Sequence, residues 1–203
     1  MNTDIGCTGQ LTIATTILCS TRTPKIPIAH QTLLHPVTDT ITTDRSTRSE
    51  FTFFDGPLLT VPYMHKTIDA YIPSAPDRDS ELASPRNIST AHAKLQPPTL
   101  IVNSSADPLR DDGRLFGEVL QRQGVECVIF EALGQLHVSE VLEGTRGGAT
   151  PRAVVRVVAG EIRGALGRGE KRERVGDEVG VKGDGDGDGG VKTRKRTRTR
   201  SEY

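Results

Sequence analysis

Thr99-Leu100-Ile101-Val102-Asn103-Ser104-Ser105-Ala106-Asp107-Pro108-Leu109-Arg110-Asp111-Asp112-Gly113 decides the fold. Its apolar start, Thr99 to Val102, reads as a buried strand, and Asp107 falls in the loop just past it. A second pairing follows: Cys127-Val128-Ile129-Phe130 leads to Gly134-Gln135-Leu136-His137. Each block sets one chemically able side chain beyond the carboxyl end of a strand, where open α/β sheets hold functional groups. An Asp and a later His in such loops are two parts of a nucleophile–His–acid relay. The third part, a serine on a sharp strand-to-helix turn, is not found.

Outward from these blocks, the periodicity predicts helices alternating with strands. A helix is expected from Thr8 to about Thr21, and a strand from Ile26 to about Leu34, ended by His35-Pro36. Thr38 to Glu50 reads as loop. Tyr63 to Ile72 reads as a short helix with Thr60 as its cap before Pro62. Pro73 to Gln96, with Pro73, Pro76 and Pro85, reads as a long surface connection. Pro98 to Asn103 is the next strand. Leu115, Phe116, Val119 and Leu120 form one apolar stripe on a helix from Arg114 to Gln123, closed by Gly124. Glu126 to Phe130 is the last strand, and Ala153, Val154, Val157, Val158, Ile162 and Leu166 mark a final amphipathic helix behind Pro151. Strands separated by helices imply parallel pairing with both sheet faces covered.

At this point the chain resembles the carboxyl-terminal part of the hormone-sensitive-lipase-like ("fold-3") group of α/β-hydrolase esterases and lipases. The resemblance runs from about Thr8 to about Leu166. Asp107-Pro108-Leu109-Arg110-Asp111-Asp112-Gly113 matches the family's Asp-Pro-Leu-x-Asp-x-Gly segment, and Gly134 to His137 matches its Gly-x-x-His. Similar stretches are His35-Pro36-Val37-Thr38-Asp39, Phe54-Asp55-Gly56-Pro57-Leu58-Leu59-Thr60, Asp69-Ala70-Tyr71-Ile72-Pro73 and Ala83-Ser84-Pro85. Their order and spacing together carry the resemblance.

The resemblance implies an ancestral hydrolysis of small acyl esters. His137 would transfer the proton and Asp107 would hold its tautomer, with no metal or organic cofactor. Asp111 and Asp112 are expected to cap the following helix. The family's nucleophile sits in a Gly-Asp-Ser-x-Gly-Gly elbow before a helix whose start is similar to Leu11-Thr12-Ile13-Ala14. Counting back without a gap puts Gly6 in the serine's place. A one-residue deletion would bring Cys7 there instead, but Ile5 would then replace the elbow's leading glycine, so Cys7 reads as an ordinary residue. The His-Gly-Gly-Gly-type oxyanion segment, expected upstream, is not in the sequence. Three strands are legible where the family's sheet has eight. The expectation is a truncated α/β-hydrolase-like domain over residues 1–166, with strand 26–34 at an exposed edge and little or no catalysis. The alternatives are a non-catalytic binding remnant, or a nucleic-acid-associated protein acting through its tail.

Composition fits that expectation. Of 203 residues, 34% are hydrophobic and none is Trp, and the net charge is zero. Residues 168–203 hold 11 basic and 8 acidic side chains, which leaves 15 and 18 for residues 1–167. From Gly167 onward the chain is too polar to bury a core and is expected to be a disordered tail. Asp184-Gly185-Asp186-Gly187-Asp188-Gly189 imitates the start of a calcium loop, but Lys195 stands where the twelfth-position Glu belongs. Lys192 to Arg200 is basic without aromatics for stacking, so it reads as a solvated tail rather than a nucleic-acid surface. Cys7, Cys19 and Cys127 lack metal-ligand spacing and an even count. His30, His35, His65 and His92 also lack such spacing and read as surface or loop residues. With no signal peptide and no membrane span, a cytoplasmic location is the expectation.

Overall fold

The computed structural model describes residues 2–5, 8–41, 48–142 and 144–179. Four parallel strands, β1 (Asn2–Ile5), β2 (Gln31–Leu34), β3 (Thr99–Ala106) and β4 (Cys127–Leu136), form one sheet in the order β1-β2-β3-β4. Leu33 aligns with Ile101 and Leu34 with Val102 across β2 and β3. On the other side of β3, Ile101 aligns with Ile129. β2 therefore lies inside the sheet with all four residues buried, not at an exposed edge. It is also shorter than expected: Ile26 lies outside the strand and is 41% exposed.

Alternation along the strands assigns each face its helices. Leu33 and Ile101 point to one face, where they pack with Ile13 and Ile17 of α1 (Thr8–Thr21) and Phe116 and Leu120 of α5 (Arg110–Arg122). Leu34, Leu100 and Val102 point to the other, against Val154 of α6 (Ala149–Val179), with Val157 and Val158 packed alongside. Burying each such side chain contributes about 1.5–3 kcal/mol. Polar groups at the start of β2 are satisfied: Gln31 Nε2 donates to Gln96 Oε1 at 3.1 Å and to Thr99 Oγ1 at 2.9 Å.

Between β2 and β3 lie α2 (Arg48–Thr52), α3 (Val61–Tyr71) and α4 (Thr90–Ala93). Thr60 caps α3, its hydroxyl accepting from the Tyr63 N–H at 3.3 Å. The segment from Pro73 to Gln96 is not wholly a surface connection. Ile88 and Ala93 join the core, and buried Ser84 accepts the Thr40 N–H at 2.9 Å.

α5 begins at Arg110, four residues earlier than the expected start at Arg114, because the Asp107 loop turns directly into it. α6 likewise runs past Leu166 to Val179, through Arg, Glu and Lys residues that are good helix formers. Residues 180–203, with the calcium-loop imitation and the basic run, lie outside the described residues. No helix among the described residues is long and apolar enough to cross a membrane.

Candidate active site

The carboxyl ends of β2, β3 and β4 deliver His35, Asp107 and His137 to one place. β3 ends at Ala106, and Asp107 follows, fully buried. Its Oδ1 accepts the Leu109 N–H at 2.9 Å, which fixes the carboxylate plane. Its Oδ2 lies 2.8 Å from Nδ1 of His137, the residue after β4. The end of β4 just before His137 is held by Ser105 Oγ, which accepts the Gly134 N–H at 2.8 Å, with Gly134 at a φ of 70° that suits glycine. The structure thus brings together the two residues that the sequence singled out.

It also adds two that the sequence reading missed. His35 is not a surface residue: it is 1% exposed and follows β2 at φ 47°. Its Nε2 contacts Glu140 Oε1 at 2.7 Å, and its Nδ1 faces Asp107 Oδ2 at 3.5 Å. The His35 and His137 rings stand 5.3 Å apart, tilted by 58°. Val138, between His137 and Glu140, is itself held at φ 50°, an uncommon conformation for a β-branched residue. Burial pushes the Glu140 carboxyl up, but the hydrogen bond from His35 and the nearby imidazole charges outweigh it and hold the group below its usual range. His30 is buried as well, whereas His92 pairs with Glu81 at 2.5 Å near the surface.

Asp111 and Asp112 sit in the first turn of α5 but bond outward rather than capping it. Asp111 Oδ2 accepts the Ser49 N–H at 3.0 Å, and Asp112 Oδ2 accepts the N–H groups of Thr38 at 2.8 Å and Asp39 at 3.1 Å. These carboxylates stitch the loop after β2 and the start of α2 to the helix after β3. Gly6 and Cys7, between β1 and α1, lie outside the described residues. The flanking elements are a strand and a helix, and a Cβ on Gly9 would sit 2.7 Å from Pro36 Cβ and 2.9 Å from its Cα. A cavity of about 260 Å³ is lined by Gly134, Leu136 and Ser139 on either side of His137 in the chain, and by Thr145 and Pro151.

The family profile described as alpha/beta hydrolase fold matches residues 6–140. The chain belongs to the alpha/beta hydrolase fold family. Among curated relatives of this chain are an esterase of Gibberella moniliformis, 36% identical over 76% of the chain, and one of Fusarium pseudograminearum, 35% identical over 76%. The chain spans about half the length of these relatives, 48% and 47%. Among solved structures, carboxyl esterase 2 of Tuber melanosporum superposes with a TM-score of 0.74 at 25% identity, over 79% of this chain and 51% of that one. A thermostable esterase of Pseudomonas putida ECU1011 superposes at 0.64 with 27% identity, over 80% and 48%.

Proposed function

We propose that this chain carries the proton-transfer half of a carboxylic-ester hydrolase acting on small acyl esters. The observation that carries the reading is the 2.8 Å contact between His137 Nδ1 and Asp107 Oδ2 at the ends of adjacent parallel strands. The esterases among its relatives support the substrate class. With Nδ1–H donated to Asp107, the His137 Nε2 lone pair is free to take a proton. In ester hydrolysis that proton leaves an attacking hydroxyl as its oxygen bonds to the acyl carbon. It then passes to the departing alkoxide as the ester C–O bond breaks. Water repeats the cycle on the acyl-enzyme and releases the acid. Asp107 stays ionised and steadies the imidazolium.

The chain as written lacks the attacking group. Gly6, at the serine's place, has no side chain to bond to a carbonyl, so no acyl-enzyme forms. The expected result with p-nitrophenyl acetate and butyrate is no turnover above that of His137→Ala. Turnover lost in both His137→Ala and Cys7→Ala would overturn the inactive reading and identify Cys7 as the nucleophile. The family chemistry is tested separately with Gly6→Ser: a fluorophosphonate should label position 6, and His137→Ala should abolish labelling. No labelling of folded Gly6→Ser protein would overturn the ester-hydrolase assignment.

A further inference from the structure

His35, Asp107 and His137 each turn a possible ligand atom toward the others, and the three atoms lie within 4.8 Å of one another. We propose that these residues form a site for a divalent first-row metal ion, with zinc the best match. Two imidazoles and a carboxylate are a zinc-type donor set. Donors held about 2.0–2.2 Å from a tetrahedral ion stand roughly 3.3–3.6 Å apart. The His35 Nδ1 to Asp107 Oδ2 separation is 3.5 Å. The His137 contact, at 2.8 Å, has to open by roughly 0.5–0.8 Å for the ion to enter.

The second observation is the state of His35. Glu140 Oε1 holds the far nitrogen of His35, Nε2, at 2.7 Å, which leaves Nδ1 as the ring atom turned toward Asp107. That Nδ1 is buried and has no hydrogen-bond partner. It faces Asp107 Oδ2 at 3.5 Å, a spacing that a metal ion bound to both atoms would span. The Glu140–His35 pair is also the arrangement that metal-binding histidines use: the far nitrogen donates to a carboxylate, which fixes the ring and raises the basicity of the near nitrogen. His137, at 15% side-chain exposure against 1% for both His35 and Asp107, sits on the solvent side and leaves the fourth position to water.

The site needs no nucleophile, so the inference stands whether or not the chain hydrolyses esters. Occupancy would take His137 and Asp107 out of proton transfer. It would also give an inactive scaffold a binding activity of its own.

Zinc titration of the full chain by calorimetry tests this, with thermal unfolding in parallel. The expectation is one saturable Zn²⁺ site per chain and a Tm that rises with zinc. His35→Gln and His137→Ala should each weaken binding by at least about tenfold, and Glu140→Gln by about 10–100-fold. His92→Ala, outside the cluster, should bind as the parent does. If buried His35→Gln fails to fold, the partly exposed His137→Ala decides. Cobalt substitution should give visible bands of a tetrahedral N/O site without a thiolate charge-transfer band. Absence of saturable binding, or binding unchanged in folded His137→Ala, overturns the proposal. An inactive but zinc-binding chain upholds it, and an active chain that binds no zinc overturns it while leaving the ester reading intact.

Discussion

His137 and Asp107 lie 30 residues apart in the chain, yet Nδ1 of one stands 2.8 Å from Oδ2 of the other. The two ends of that bond are unequal, since Asp107 is fully buried and His137 reaches solvent. Asp107→Ala strands the buried Leu109 N–H, at about 1–3 kcal/mol, and takes away the partner of the partly exposed His137 N–H. His137→Ala leaves the carboxylate its Leu109 donor and a path to water. Urea unfolding should therefore show Asp107→Ala less stable by about 2–4 kcal/mol and His137→Ala by about 1 kcal/mol. Equal losses would mean that the carboxylate does not organise the loop.

Asp112 gives the fold a pH dependence. Burial is the main influence on its carboxyl and pushes it up to about 7, against the two backbone donors, and Asp39 and Glu50 push the same way. In the unfolded chain the group ionises near 3.8. Between those values the folded protein keeps a proton that the unfolded chain has released, so unfolding frees a proton and rising pH favours it. This group's contribution to stability should thus fall from about pH 4 to pH 7, by at most about 1.4 kcal/mol per pH unit. Asp112→Asn stays neutral and keeps an oxygen for the Thr38 and Asp39 N–H groups. Its stability should decline less than the parent's between pH 5 and pH 8. Parallel urea midpoints over that range would show that Asp112 carries no such proton.

How far the sequence could be read follows from the range of the interactions. β3 and β4 announce themselves by apolar runs, and the loops after them hold the two singled-out residues, so the Asp107–His137 pair was legible. The α3 cap at Thr60 was legible because a cap is a local hydrogen bond. β1, Asn-Thr-Asp-Ile, has no apolar run, and its place is set by pairing with β2 rather than by its own residues. His35 was misread because its partner, Glu140, is 105 residues away. A signal existed: His35 follows the end of β2 as Asp107 follows β3 and His137 follows β4. Asp111 and Asp112 suited a helix start by composition, but their oxygens accept from the start of α2 and the loop after β2, more than 60 residues upstream.

Two glycines of α5 should respond differently to alanine. Alanine gains about 1 kcal/mol of helix propensity at either position. At Gly117 the added Cβ would lie 2.7 Å from the tip of Ile129 and 3.1 Å from Cδ1 of Ile101, side-chain ends that can shift. At Gly113 it would collide with the amide of Asn103, a buried side chain on β3 whose Oδ1 has no hydrogen-bond partner. Moving that amide disturbs the strand just before the Asp107 loop. Gly117→Ala should cost about 1 kcal/mol net, and Gly113→Ala about 2–3 kcal/mol. The reverse order in urea unfolding would mean that Asn103 has room to rotate away.

Glu140 sets the opposite pH trend to Asp112. Burial raises its carboxyl, but the His35 hydrogen bond and the charges of His35 and His137 hold it lower than in the unfolded chain. The folded protein therefore favours the ionised form. The stabilisation is fully present above the ordinary carboxylate range and is lost as pH falls through the lowered value. Glu140→Gln keeps an oxygen near His35 Nε2 but removes the charge. It should be less stable than the parent at neutral pH by about 1–2 kcal/mol, the scale of a charge-assisted hydrogen bond. That gap should shrink on acidification below about pH 4.5 as the parent's carboxyl takes up its proton. Unfolding midpoints at pH 7, 5 and 3.5 measure it. A gap that stays constant would mean that Glu140 contributes through packing alone, and that His35 is not held by a charged partner.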